Sequence, residues 1–324
     1  MVIIGKTSPE FFVPLAPFVV DLLSMKLCLW SCIWFIGMGG GELEAQFSSN
    51  WLQDGVWGDG KAEFNIYEAQ EVRYGQPRPA EILHIFVREP FAEKEGVKPE
   101  PGSKAASYPV MKLNQILHIP TGVYVYQQMH SAFWRTDTGQ LAKATLTSND
   151  SCGNTYKEFR LRTGLAGWFR PGWQYEWRTY WEGMSRGEST LRAPESAIFY
   201  DELPMRVRTI DFARGSGRFE IQLAPTIINS KAGAITFSSA TVDWIRATDG
   251  AIEVSVGSAM VEGTAGKSGH ADRFRLEARS PHVIQSWHRS DGSGLKLKRS
   301  LRLDYWNYHA LGDKERVLET GITN

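Results

Sequence analysis

The sequence predicts a mainly β protein: one large curved antiparallel sheet or half-barrel wrapping a short helix, with a β-sandwich as the alternative. Three observations predict it. Polar–apolar alternation recurs along most of the chain, Asp-Gly pairs punctuate it, and long helical periodicity is almost absent. The composition agrees, since 12 tryptophans and 31 glycines suit strands and tight turns better than a helical bundle.

Residues 1–45 stand apart. After Met25 and Lys26, an apolar run from Leu27 to Met38 has the length of a signal-peptide core and is too short to span a bilayer. Leu43-Glu44-Ala45 offers a cleavage site, although Leu43 is large for its place. Residues 1–45 therefore read as a signal peptide or N-terminal leader, and Met1–Ser24 as sequence upstream of the better initiator, Met25. A retained anchor made of Phe11–Leu23 and Leu27–Met38 competes with this, interrupted by Pro14, Pro17, Asp21 and Lys26. A lipobox ending at Cys32 is the third reading, with bulky Trp30 against it. The expected location is the periplasm or outer envelope, with membrane contact through the leader if it is kept. Cleavage removes Cys28 and Cys32, so only Cys152 stays and no internal disulfide forms.

Residues 46–324 read as a single β-rich domain, with two halves meeting near 191–204. "EILHIFVRE" (Glu81 to Glu89) and "TGVYVYQQMHSAFW" (Thr121 to Trp134) are apolar on both faces, as central strands are. Between them "EKEGVKPEPGSKAAS" is a solvated excursion. "WQYEWRTYW" places Trp173, Tyr175, Trp177, Thr179 and Trp181 on one face between two glycines, which predicts a half-buried strand. "APESAIFYDEL" (Ala193 to Leu203) predicts one short helix capped near Glu195. "DRFRLEAR" and "LKLKRSLRLDYW" alternate again. Asp54-Gly55, Asp59-Gly60, Asp249-Gly250 and Asp291-Gly292 are the pairs favoured in tight hairpins, the last set squarely between two strand patterns.

Lys plus Arg equals Asp plus Glu at 36 each, which argues against a nucleic-acid partner. No Walker loop, G-x-S-x-G elbow or HExxH motif is present, and no two of the seven histidines share zinc-site spacing on one element. No cofactor and no metal are expected. The catalytic candidates are Cys152 as nucleophile with His130 and Asp150 in orienting roles. An acidic neighbour raises a thiol pKa, so the competing reading makes Cys152 a small hydrophobe in or beside a strand. Glu63 sits in an ordinary strand pattern with nothing around it to suggest catalysis. Trp173, Tyr175, Trp177 and Trp181 form the candidate ligand surface, with simple core packing as the other reading.

"PVMKLN" (Pro109 to Asn114), "TGVYVYQQM" (Thr121 to Met129) and "SCGNTYKEF" (Ser151 to Phe159) follow the order seen in a family of uncharacterised secreted bacterial β-proteins, which the chain resembles over Trp57 to about Gly183. Ser151 stands where that family has an aromatic, and Val125 where it has proline. Members are sometimes labelled septum formation inhibitor Maf, but no residue here supports nucleotide chemistry. "SPHVIQSWHRSDGSGLKLKRSLRLDYW" is similar to envelope proteins of the LolA-like fold, which implies an open curved sheet wrapping a short helix and, in some members, holding acyl chains. Neither resemblance supplies catalytic residues.

The resulting expectation is an envelope-associated, non-catalytic protein that binds a hydrophobic or lipid-like ligand. An enzyme acting on envelope glycans or lipids and a structural scaffold are the alternatives.

Overall fold

A computed structural model of the protein describes residues 47–162, 172–194, 196–258 and 271–319. The predicted leader, residues 1–45, and Glu195 lie outside them.

Fifteen strands form a single sheet, in the order β8-β7-β6-β5-β4-β3-β2-β1-β15-β14-β13-β12-β11-β10-β9. The first eight are β1 (Ala62–Arg73), β2 (Gln76–Ala92), β3 (Ser107–Pro120), β4 (Val125–Arg135), β5 (Leu141–Asp150), β6 (Gly153–Arg162), β7 (Gly172–Arg178) and β8 (Arg186–Leu191). The rest are β9 (Ala197–Phe199), β10 (Ser216–Ala224), β11 (Ser238–Arg246), β12 (Ile252–Ser258), β13 (Ala271–Leu276), β14 (Ile284–His288) and β15 (Gly294–Leu303). Every neighbouring pair is antiparallel except β9 with β10. Hairpins join most neighbours, as the alternation and turn signals imply. The sheet is one curved layer, so the two-sheet sandwich is not adopted.

Its two edges, β8 and β9, are consecutive in the chain and separated only by residues 192–196. So short a link requires the edges to approach, and the sheet curls on itself. Trp173 on β7 meets the ring of Phe199 on β9 at 5.3 Å, edge to face. The seam is closed by side chains rather than by ladder hydrogen bonds.

The interior is filled by the chain that follows β9. A 3-10 turn (Tyr200–Glu202), the short helix α2 (Leu203–Arg206; α1 is Asn50–Gln53) and a second 3-10 turn (Val207–Thr209) run through it almost wholly buried. The sheet does wrap a short helix, but later in the chain than the sequence suggests. Ala197–Phe199 instead adds to β10 as a strand, and Pro204 in the first turn starts the helix where a missing N–H costs nothing. Backbone N–H of Phe199 donates to Glu202 Oε1 at 3.0 Å and ties the strand to the turn.

Two of the four Asp-Gly pairs make hairpins. Gly250 and Gly292 hold positive φ at the β11–β12 and β14–β15 turns. Asp54 instead caps a 3-10 turn by accepting from Val56 N, and Asp59-Gly60 has a strand on one side only. No helix among the described residues is long and apolar enough to cross a membrane.

Candidate functional site

Strand register places a row of polar side chains across the inner face. Asn65 on β1 pairs with His84 on β2, His84 with Gln115 on β3, and Gln115 with His130 on β4. The row continues through Leu146 on β5 to Lys157 on β6. The polar members are all buried. This row separates two apolar clusters, one around Tyr67, Ile82 and Leu117, the other around Phe86, Leu113 and Phe159.

Buried polar groups must be paired to be tolerated, and most of this row is. Gln115 Nε2 donates to Asp201 O at 2.9 Å and lies 3.0 Å from His130 Nδ1. Lys157 Nζ donates to Ile227 O at 2.9 Å and Asn229 Oδ1 at 3.0 Å; burial pulls its pKa down to about 8. Asp201 accepts from Thr226 Oγ1 and Ile227 N, which fastens the interior segments together. Burial lowers the His130 pKa, against the raising pull of Asp201 and Glu202.

Beyond one end of the row lies an ion pair. Arg208 Nη1 and Nη2 reach Glu63 Oε1 and Oε2, both at 2.8 Å, with both side chains buried. Arg208 Nε donates to Pro281 O at 2.9 Å, and its guanidinium lies 4.4 Å from the Phe86 ring centre and 4.8 Å from that of Trp51. Asn65 Nδ2 donates to Glu63 Oε1 at 2.7 Å. Every polar atom of the pair has a use, so it anchors the interior segment.

Toward the other end of β1 the interior opens into a cavity of ≈ 80 Å³. Its apolar lining is Ile82, Leu117, Ile228, Trp287 and Leu295. Its polar lining is Glu71, Arg73, Arg289 and Asp291 at the mouth and His84, Gln115 and Tyr200 deeper in, His84 and Gln115 standing two residues from Ile82 and Leu117 on the same face of β2 and β3. Arg289 bonds Glu71, whose pKa is raised by burial in spite of the Arg289 and Arg73 charges. Tyr200 donates its hydroxyl to Asp272. Three buried atoms on facing residues of β1 and β2 have no hydrogen-bonding partner: Asn65 Oδ1, Tyr67 Oη and His84 Nδ1. The Tyr67 and His84 rings lie 4.9 Å apart. Burial, helped by the Arg208 and Arg289 charges, takes the His84 pKa down to about 3, so the ring is neutral and Nδ1 can exchange hydrogen bonds.

No family model matches this chain, and no curated protein matches it. Solved structures similar to it in shape alone include the following two. A beta-barrel-like protein of domain of unknown function DUF1849 from Brucella abortus is 9% identical with a TM-score of 0.44, covering 75% of this chain and 98% of that one. A DUF1089 family protein from Pseudomonas aeruginosa is 16% identical with a TM-score of 0.32, covering 54% and 82%. Neither likeness bears on the Maf label or on the LolA-like resemblance.

The residues singled out in the sequence do not gather at the cavity. Cys152 is a free, exposed thiol at the β5–β6 turn, neither buried nor within a strand. Asp150 Oδ1 accepts from the backbone N–H of Cys152 and Gly153, so it shapes the turn. His130 points into the core and pairs with Gln115. A thiol reagent is therefore expected to modify Cys152 in the folded protein, as read by peptide mass mapping. Protection until denaturant is added would contradict this placement.

Trp173 and Tyr175 are core; Tyr175 stacks on Phe159 at 4.4 Å with 11° between planes. Trp177 is half-buried and lies against Gly187, where an added Cβ would come within 2.2 Å of its ring. Trp181 falls beyond the end of β7, exposed, with Lys231 Nζ 4.7 Å above its ring. The stripe is thus mostly packing, and only its last member faces solvent. Among the described residues no three of His, Cys, Asp and Glu gather as a metal site. Sequence reading passed over Glu71, Arg208 and Arg289 and set Glu63 aside. A signal was present on β1, where Glu63, Asn65, Tyr67 and Glu71 share one parity.

Proposed function

We propose that the protein is a non-catalytic binding protein of the cell envelope that takes a small amphipathic, lipid-like molecule, or the end of a longer one, into the interior cavity. The observation that carries this reading is the cavity's mixed lining: Ile82, Leu117, Trp287 and Leu295 stand beside the buried polar side chains of His84, Gln115 and Tyr200. A volume of ≈ 80 Å³ admits a molecule of a few heavy atoms. The charged mouth is neutralised by its own Glu71–Arg289 pair, which favours an uncharged hydrogen-bonding group inside.

The test is thermal stabilisation by short-chain alcohols, amines and carboxylates, with native mass spectrometry of protein taken from envelope extracts. A saturable rise in Tm is expected for the alcohols, equivalent to about 2.7 kcal/mol at a hundredfold excess over Kd. Leu117→Trp, which fills the cavity, is expected to abolish it. His84→Leu is expected to weaken alcohol binding by roughly tenfold, the value of one hydrogen bond. No Tm response across the series, with no co-purified small molecule, would overturn the reading.

A further inference from the structure

We propose that the rim of turns around the cavity mouth is a docking surface for a lipid bilayer containing anionic headgroups. The turns after β1, β3, β5 and β7 and the β14–β15 hairpin lie at the same end of the antiparallel sheet as Glu71, Arg73 and Arg289. That end carries large apolar and aromatic side chains in water. Val123 is 100% exposed, Tyr180 73% and Tyr74 67%.

Two features show that this display is built rather than incidental. Tyr74 sits at the tip of a two-residue turn with φ 54°, a conformation that Asn or Gly adopts at much lower cost. Its hydroxyl lies 2.7 Å from those of both Tyr124, in the β3–β4 turn, and Tyr126, at the start of β4, which holds the three rings as one unit.

The chemistry favours a bilayer over a protein partner. Tyrosine and tryptophan, each with an apolar body and one polar atom, suit the headgroup zone, where one end is dry and the other wet. The cations match anionic headgroups. Lys231 stands over Trp181, and Arg178 lies directly opposite Arg186 in the β7–β8 register. Both arginines are exposed and have no ion pair among the described residues. The Glu176–Glu188 pair lies next to them on the same face, so Lys231 beside Trp181 is the cation that decides for an anionic surface. The apolar groups sit on separate turns around an opening, a shape that can sink into a soft interface but offers no continuous face to a rigid partner.

Vesicle co-sedimentation of the full chain tests this, and it does not require the cavity to be filled. Vesicles of phosphatidylcholine alone are compared with vesicles that also contain phosphatidylglycerol. Because the apolar segment before residue 45 is common to every variant, differences report the rim. Val123→Asp with Trp181→Ser is expected to lower binding to both vesicles by roughly tenfold or more. Lys231→Glu is expected to lower binding only to the anionic vesicles, by roughly tenfold. Val97→Asp, at the opposite end beside Ala92, is expected to change neither. Failure of the parent to bind vesicles, or undiminished binding by the Val123/Trp181 variant, overturns the proposal. So does a variant that alters only oligomeric state, since the rim would then be a protein contact.

Discussion

Arg208→Met is expected to lower the stability of the protein by about 3–5 kcal/mol, because it leaves the Glu63 carboxylate buried without its counter-ion. The guanidinium meets both carboxylate oxygens at 2.8 Å, and one nitrogen also holds Pro281 O. Glu63 would keep only the 2.7 Å bond from Asn65. The loss also releases the segment Tyr200–Thr209, which Arg208 pins to β1 from 145 residues away. Urea denaturation measures the effect. The double variant Arg208→Met, Glu63→Leu is expected to be more stable than Arg208→Met alone, since an apolar pair of similar size removes the uncompensated charge. A single variant within about 0.5 kcal/mol of the parent would show that the pair does not hold the interior segment.

Stability is expected to fall as pH drops below about 6.5, with His84 alone contributing a slope of about 1.4 kcal/mol per pH unit. The sign follows from burial. The folded pKa of His84 is about 3, against 6.5 for the free ring. Between these values the unfolded chain binds a proton that the folded chain does not, so stability is complete above 6.5 and is lost toward 3. His130 and His282 are lowered as well, first by burial, and steepen the same limb. Glu71, raised by burial, works in the opposite sense above its ordinary value. His84→Phe leaves Glu71 in place, so comparison with the parent isolates the histidine. Urea unfolding from acid to neutral pH should give the variant a shallower slope by about 1.4 kcal/mol per unit. Equal slopes would mean that His84 is reached by water in the folded protein.

The strand pattern was readable because alternation is local. "WQYEWRTYW" shows its buried parity in Trp173 and Tyr175, and "LKLKRSLRL" in Leu295 and Leu303. The β14–β15 hairpin was readable because Asp-Gly supplies its turn without outside help. The site was hidden by a reversal on β1 and β2. Phe64, Ile85 and Val87 are apolar and buried, yet they form a separate cluster on the outer face with Leu301 and Tyr305 packed against it. Read by polarity alone, those strands turn Phe64 inward and Glu63 and Asn65 outward, the opposite of what the fold does. Around Cys152 the turn was legible in Asn149, Asp150, Gly153 and Asn154, but the exposure of the thiol was not, since isolation of a cysteine in the sequence says nothing about its burial.

By itself, the sequence determined that this chain is strands joined by tight turns and that the aromatic run of β7 is half-buried; β4, apolar on both faces in the sequence, leaves Val125 and Met129 exposed on one of them. What it determined follows from side-chain period and turn chemistry within about ten residues. Only the tertiary structure decided which face of β1 looks inward, which carboxylate meets Arg208, and that His84 lines a cavity while its Nδ1 is buried without a partner. The pairing of a buried polar group depends on what the folded chain brings within about 3 Å of it. Here that partner comes from the interior segment after β9 or from a neighbouring strand, at distances along the chain that no local pattern records.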